Sequence, residues 1–219
     1  MTGRAPGVGA RLAALALLVL PGGCQTAKPY DYTNFRAHPP RSILVIPPLN
    51  ESTTLEGTYS YLSTVSRPIA ERGYYVFPVA VVDQFLKDNG LPTSGEMNQV
   101  APGKVGEITG ADAVMYLDLK QYGSKFVLIN SVTTVEVIAK LIDTRSGTLL
   151  WEGRGFAQQS GSGSGNLLAD VVAAAISEAI NSKADAAHNV SRLANTSLFL
   201  PENTGLPYGP YSPKYNQAH

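Results

Sequence analysis

The chain has 219 residues, 17 basic and 17 acidic side chains, 44% hydrophobic residues and a single cysteine. That length suits one domain with its own core plus some tail. No Lys/Arg run or stripe marks a nucleic-acid surface or a polybasic membrane patch, so neither nucleic acid nor a charge-held bilayer is an expected partner.

The N-terminus reads as an export signal. Arg4 and Arg11 give a positive n-region, Leu12 to Leu20 an apolar stretch of nine residues, and Gly22-Gly23 a small-residue cleavage site before Cys24. The stretch is too short to cross a bilayer as a stable mature helix. A cysteine left first after such a cut accepts a diacylglyceryl thioether, and its freed amine is acylated, with palmitate as the expected kind of chain. Each buried methylene then contributes about 0.8 kcal/mol to membrane binding. Pro21 departs from the Leu usual three residues before such a cysteine. Gln25 is not the aspartate that commonly retains lipoproteins at the inner membrane, which points to the outer membrane and a periplasm-facing domain. Cleavage removes residues 1–23 and leaves a net charge of −2. With its only cysteine lipidated, the chain keeps no thiol for disulfides, thiolate metal sites or nucleophilic catalysis.

Residues 24–41 are polar and rich in Pro and Tyr, and are expected to form a lipidated tether. The run Ser42 to Ile46 fits a strand buried on both faces, ended by Pro47. Leu62, Val65 and Ile69 recur at helical spacing from Thr58 to Arg72. Pro68 withholds the N–H that the Thr64 carbonyl needs, so a kink is expected there. Gly73 stops the helix. Tyr74 to Ala80 reads as a second buried strand, giving a right-handed βαβ unit. A short helix over Val81 to Asn89, a loop over Pro92 to Gln99 and a helix over Gly103 to Thr109 follow.

Ala113 to Tyr122 is a strand, and Lys125 to Asn130 offers a further one. Val132 to Asp143 alternates, and Thr148 to Gln158 returns as its hairpin partner with Trp151. Ser160 to Gly165 reads as a flexible linker. A helix is expected from Asn166 to about Ala187, with Leu168, Val172, Ala175 and Ala179 on its apolar face. The domain is therefore drawn over 42–190. A Pro/Tyr-rich tail covers 191–219, ordered only where its tyrosines find a groove.

Chemistry-bearing constellations are missing from this pattern. His38, His188 and His219 have no metal-ligand spacing, and no G-x-S-x-G elbow exists. The Ser/Gly run at 160–165 lacks the Gly-Lys-Ser/Thr of a phosphate cradle. Asp112, Asp118 and Asp143 are the candidate acid/base carboxylates. Asp143, in Asp-Thr-Arg-Ser-Gly, is better explained as a turn residue bonding local N–H groups, and Asp112 also reads as structural. The Asn50, Asn189 and Asn195 sequons would carry little weight if the host is bacterial. No catalytic residue, metal site or cofactor is expected.

Several segments carry a resemblance: Lys28 to Thr33, Arg41 to Ser52, Leu62 to Pro68, Gly73 to Ala80, Gly110 to Val114, Leu149 to Gly153 and Pro207 to Tyr215. Together they resemble the bacterial lipoproteins known as domain of unknown function 799, the genome-derived neisserial-antigen-like lipoproteins. The resemblance implies a single-domain α/β (α+β) fold, a mixed sheet flanked by helices. That fold is similar to the N-terminal domain of the Tol-system translocation protein and to the curli-secretion lipoprotein. It also implies neighbouring genes for a curli-secretion-like lipoprotein and another small lipoprotein, hence a multi-lipoprotein envelope complex.

The resulting expectation is a non-enzymatic, outer-membrane-anchored assembly or secretion-accessory lipoprotein. Its partners would be the membrane through Cys24, a curli-secretion-like lipoprotein and a second copy of itself. The alternative is a periplasmic ligand- or glycan-binding lipoprotein using Tyr59, Tyr61, Tyr74 and Tyr75 as stacking platforms.

Overall fold

Strand β1 (Ser42–Val45) has Ile43, Leu44 and Val45 all buried because helices cover both of its faces. The computed structural model describes residues 2–3, 30–127, 130–160 and 186–215. Strand β2 (Leu49–Asn50) follows, then α2 (Gly57–Glu71), preceded in the chain by the short α1 (Thr33–Ala37). Strand β3 (Tyr75–Val76) leads into α3 (Val79–Asp88), α4 (Ser94–Met97) and α5 (Pro102–Thr109). Three longer strands come next, β4 (Ala113–Val127), β5 (Asn130–Asp143) and β6 (Leu149–Ser160), and then α6 (Ala186–Phe199).

The sheet order is β3-β1-β4-β5-β6, with β2 pairing β4. β1 is parallel to β3 and β4, whereas β4-β5 and β5-β6 are antiparallel. Registers Ser42↔Tyr75, Ile43↔Ala113, Ala113↔Asp143 and Ile142↔Leu149 place these strand termini at one end of the sheet. The β4–β5 hairpin closes at the other, where Val127 pairs with Asn130 and Val132 with Ser160.

One face packs α2 and α6 against Ile43, Val45, Met115, Leu117, Val137, Leu141 and Trp151. The other packs α3, α4 and α5 against Leu44, Ile46 and Val114. Those three helices pack on the parallel part; among the described residues, the same face of β4, β5 and β6 exposes Gln121, Lys140, Glu152 and Arg154 together with Phe156. Edge strand β6 is blunted rather than bare. Its Leu149 carbonyl accepts the Asn34 amide, its Glu152 N–H is accepted by the Tyr30 hydroxyl, and Ser197 Oγ bonds both the N–H and the carbonyl of Phe156. Such caps remove sites for unwanted strand pairing.

Several boundaries differ from those read in the sequence. β3 spans two residues, not Tyr74 to Ala80: Pro78 takes the N-cap position of α3, and Val79, Val82 and Leu86 follow helical spacing. The loop at 92–99 contains α4, held by a capping box in which Thr93 and Glu96 bond each other's backbone N–H. The candidate strand at Lys125 is the continuation of β4. In the stretch drawn as tether, residues 30–41 are packed on the domain through α1, whose Phe35 is buried in the main core. The domain limit at 190 cuts α6, whose Val190, Ala194, Leu198 and Phe199 are core residues. The expected linker at 161–165 and the helix from Asn166 lie outside the described residues.

Candidate functional site

The two ends of the described chain meet at the C-terminus of α2. Arg72 caps that helix, and Gly73 follows with φ +91°, a conformation side chains rarely adopt. The turn offers two carbonyls. The Gly209 N–H donates to Arg72 O (2.8 Å) and the Tyr211 N–H to Gly73 O (3.0 Å). Space as well as φ demands glycine here. A Cβ on Gly73 would sit 2.3 Å from the Ser212 nitrogen, and one on Gly209 2.5 Å from Gly73 O.

Residues 200–215 thus form a strap. Tyr74 donates to Pro207 O (2.8 Å), and the indole N–H of Trp151, the chain's only tryptophan, donates to Thr204 O (3.0 Å). The N-terminal segment docks onto the strap in turn. The Tyr30 N–H donates to Asn203 O (3.0 Å) and the Tyr32 hydroxyl to Gly205 O (2.7 Å), with the two rings 4.9 Å apart. Burial above all, then the neighbouring Tyr30, pushes the Tyr32 phenol up to about 12. Burial also lifts Tyr74 well above the ordinary phenol range. Both hydroxyls are therefore neutral donors at physiological pH.

Arg72 lies under this junction, only 3% exposed. Its guanidinium stacks 4.5 Å from the centre of the Tyr208 ring, and Lys214 Nζ lies 5.5 Å from the same ring. Its Nε has no hydrogen-bond partner among the described residues, and desolvation lowers its pKa against the opposing pull of Tyr208, Tyr74, Tyr32 and Glu202. The contact with the ring offsets part of the cost of burying the cation. This arrangement positions chain segments; it brings no nucleophile to a base.

Each carboxylate singled out in the sequence has a structural partner. Asp143 Oδ2 accepts the N–H groups of Arg145 and Ser146 and the Ser146 hydroxyl, closing the β5–β6 turn. Asp112 Oδ2 accepts from the N–H groups of Arg41 and Ser42 and the Ser42 hydroxyl, while Oδ1 pairs with Arg145 at 2.8 Å. Burial pushes the Asp112 carboxyl up, but these four donors together hold it below its ordinary value. Asp118 pairs with Lys120, which also reaches Glu51 at 2.7 Å; Asp118 Oδ1 is buried without a partner. Beside that cluster runs a cleft of about 130 Å³ lined by Glu51, Ser52, Lys120, Tyr122 and Lys125. It is smaller than the roughly 300–1,000 Å³ of typical small-molecule pockets.

The four-tyrosine platform does not form. Tyr61 and Tyr74 are core residues, and only Tyr59 and Tyr75 are exposed, at 48% and 52%. Tyr59 carries the Lys87 ammonium 4.9 Å from its ring centre, and Tyr75 packs edge-on against Phe77. Among the described residues no group of His, Cys, Asp and Glu could hold a metal ion, and no helix is long and apolar enough to cross a membrane. His38 is exposed and His188 half-buried; Cys24 and His219 lie outside the described residues. The sequence reading missed Arg72, which carries no motif. Of the tail tyrosines, Tyr208 packs on Arg72, whereas Tyr211 is 59% exposed; the strap's buried residues are Gly205, Leu206 and Gly209.

The described residues thus form a single mixed α/β domain whose helices flank a mixed sheet, with the segment at 30–32 held on the strap at 203–205. Residues 30–211 match the family described as Putative lipoprotein GNA1162-like, and the chain belongs to that family. A relative from Neisseria meningitidis serogroup B, Putative lipoprotein NMB1124/NMB1162, is 39% identical over 200 residues, covering 90% of this chain and 93% of the relative. The crystal structure of lipoprotein GNA1162 from Neisseria meningitidis aligns at 42% identity with a TM-score of 0.54, over 58% of this chain and 88% of that one.

Proposed function

We propose that the protein is a lipoprotein anchored through Cys24 in the outer membrane, facing the periplasm, and that it is a non-enzymatic assembly or secretion-accessory component of an envelope complex. The observation that carries this reading is the use made of its polar groups. Asp112 and Asp143 are taken up by backbone N–H groups, and Tyr61 and Tyr74 fill the core. What remains outward among the described residues is the β4–β6 face with Gln121, Lys140, Glu152, Arg154 and Phe156, a surface suited to another protein. Membership of a lipoprotein family supports the anchor. A curli-secretion-like lipoprotein or a second copy of the chain is the partner this reading implies, and no cofactor is required.

Crosslinking in intact cells, followed by detergent extraction of outer membranes and mass spectrometry, tests the proposal. A reproducible crosslinked lipoprotein or homo-oligomer with contacts on β4–β6 supports it. Recovery as a lone monomer, or with a free Cys24 sulfhydryl in the intact mass, overturns it.

A further inference from the structure

We propose that the sheet end bearing Ser42, Ala113, Asp143 and Leu149 faces the lipid surface, with the β4–β5 hairpin tip standing farthest from it. The inference rests on the Cys24 anchor proposed above and adds an orientation to it. Five residues lie between Cys24 and Tyr30, which makes six Cα–Cα steps. Fully extended, they span at most about 20 Å. Tyr30 is no part of a loose tether: its N–H is held by Asn203 O, and its hydroxyl accepts the Glu152 N–H.

Strand β6 then acts as a ruler. Glu152 stands three residues from the near end of β6 at Leu149, and Asn34 fixes α1 to the Leu149 carbonyl. From Glu152 to Ser160 the strand rises roughly 26 Å, and the hairpin continues two residues past the Val132↔Ser160 pair, to roughly 33 Å in all. The tip is thus farther from the Tyr30 clamp than the acylated residue can reach. A tip-down pose would bury the hairpin inside the bilayer, and its Lys125 and Ser124 are exposed polar residues.

Charge does not impose the orientation. The near end carries Arg36, Arg41 and Arg145, but Asp31, Asp112 and Asp143 stand beside them. Contacts of this balanced kind are screened beyond about 8–10 Å at physiological salt. The short connection holds the domain in place, so its pose is independent of ionic strength.

The test uses the full, processed, lipidated protein in phosphatidylethanolamine/phosphatidylglycerol vesicles that contain nitroxide-headgroup lipid. Because acylation uses the only native thiol, Arg36→Cys and Lys125→Cys each add one free thiol on an exposed side chain for a fluorophore. The near-end label at position 36 should be quenched about threefold more than the label at 125, with no change between low and high salt. Equal quenching, or stronger quenching at 125, overturns the orientation. Inserting about 20 Gly/Ser residues between Gln25 and Tyr30 gives the connection a mean span comparable with the domain and should erase the difference. A difference that survives the insertion overturns the short connection as its cause. Intact mass separates the two proposals: without acyl mass the anchor fails, and with it, equal quenching sinks only the orientation.

Discussion

Asn195 on α6 gives the Thr64 carbonyl on α2 the hydrogen bond that Pro68 withholds. Its Nδ2 lies 3.2 Å from Thr64 O and 2.8 Å from Thr64 Oγ1, while its Oδ1 accepts the Tyr61 hydroxyl. All three residues are buried, and α2 continues through Pro68 to Glu71. A proline that should expose a main-chain acceptor instead fixes where α6 docks.

Asn195→Ala should therefore cost about 2–4 kcal/mol, since Tyr61, Thr64 O and Thr64 Oγ1 all lose a partner in a dry core. In a Pro68→Ala background the loss should shrink by about 1 kcal/mol, because residue 68 regains an N–H for Thr64 O. Urea denaturation of the unlipidated domain measures both, and strictly additive effects would contradict the shared carbonyl.

Gly73→Ala should release the strap. The left-handed φ and the clash with Ser212 together predict a loss of more than about 1 kcal/mol. The sole tryptophan gives the readout. Trp151 bonds Thr204 O, so its emission should shift red as the strap lifts, and proteolysis should begin near residues 200–215. Unchanged emission and protease resistance would argue against the clamp.

Alkaline pH should loosen the same junction. The Tyr32 pKa rises to about 12 in the folded protein against an ordinary 10, so the folded state holds its proton more tightly than the unfolded chain does. Its contribution to stability is complete below pH 10 and is lost as the pH climbs through 12. Tyr74 and Tyr61 shift the same way through burial. Tyr32→Phe should flatten the decline in this window, as read by Trp151 emission. In acid, Asp112 behaves oppositely: its lowered pKa gives stability above the ordinary carboxylate value that fades as the pH falls.

Asp112→Ala should cost about 1–2 kcal/mol, the worth of its bonds to Arg41, Ser42 and Arg145 at a half-buried site. Partner crosslinking at temperatures where the variant stays folded should match the unaltered chain. Loss of partners from a fully folded variant would give Asp112 a role beyond tying β1 to β4.

Much of this was legible in the sequence. The Ser42–Ile46 run, the helical spacing of Leu62, Val65 and Ile69, and the alternation after Val132 each reflect burial that dominates locally. Legibility failed where packing is mixed with polarity. The buried stripe of α6 includes Ser191 and Asn195, so its periodicity looks weak and the domain limit read from the sequence falls at 190, inside the helix. Phe35 is one apolar residue in a polar stretch, too sparse to betray a packed segment. Arg72 offers no pattern at all, because Tyr208, the ring it stacks on, is more than a hundred positions away.

Tyr32 and Gly205 touch across 173 positions of chain. A polypeptide that emerges from its first residue cannot close that contact until the last described helix and the strap have emerged. On the anchor proposed above, acylation at Cys24 would then precede the closing of Tyr30 and Tyr32 onto the strap.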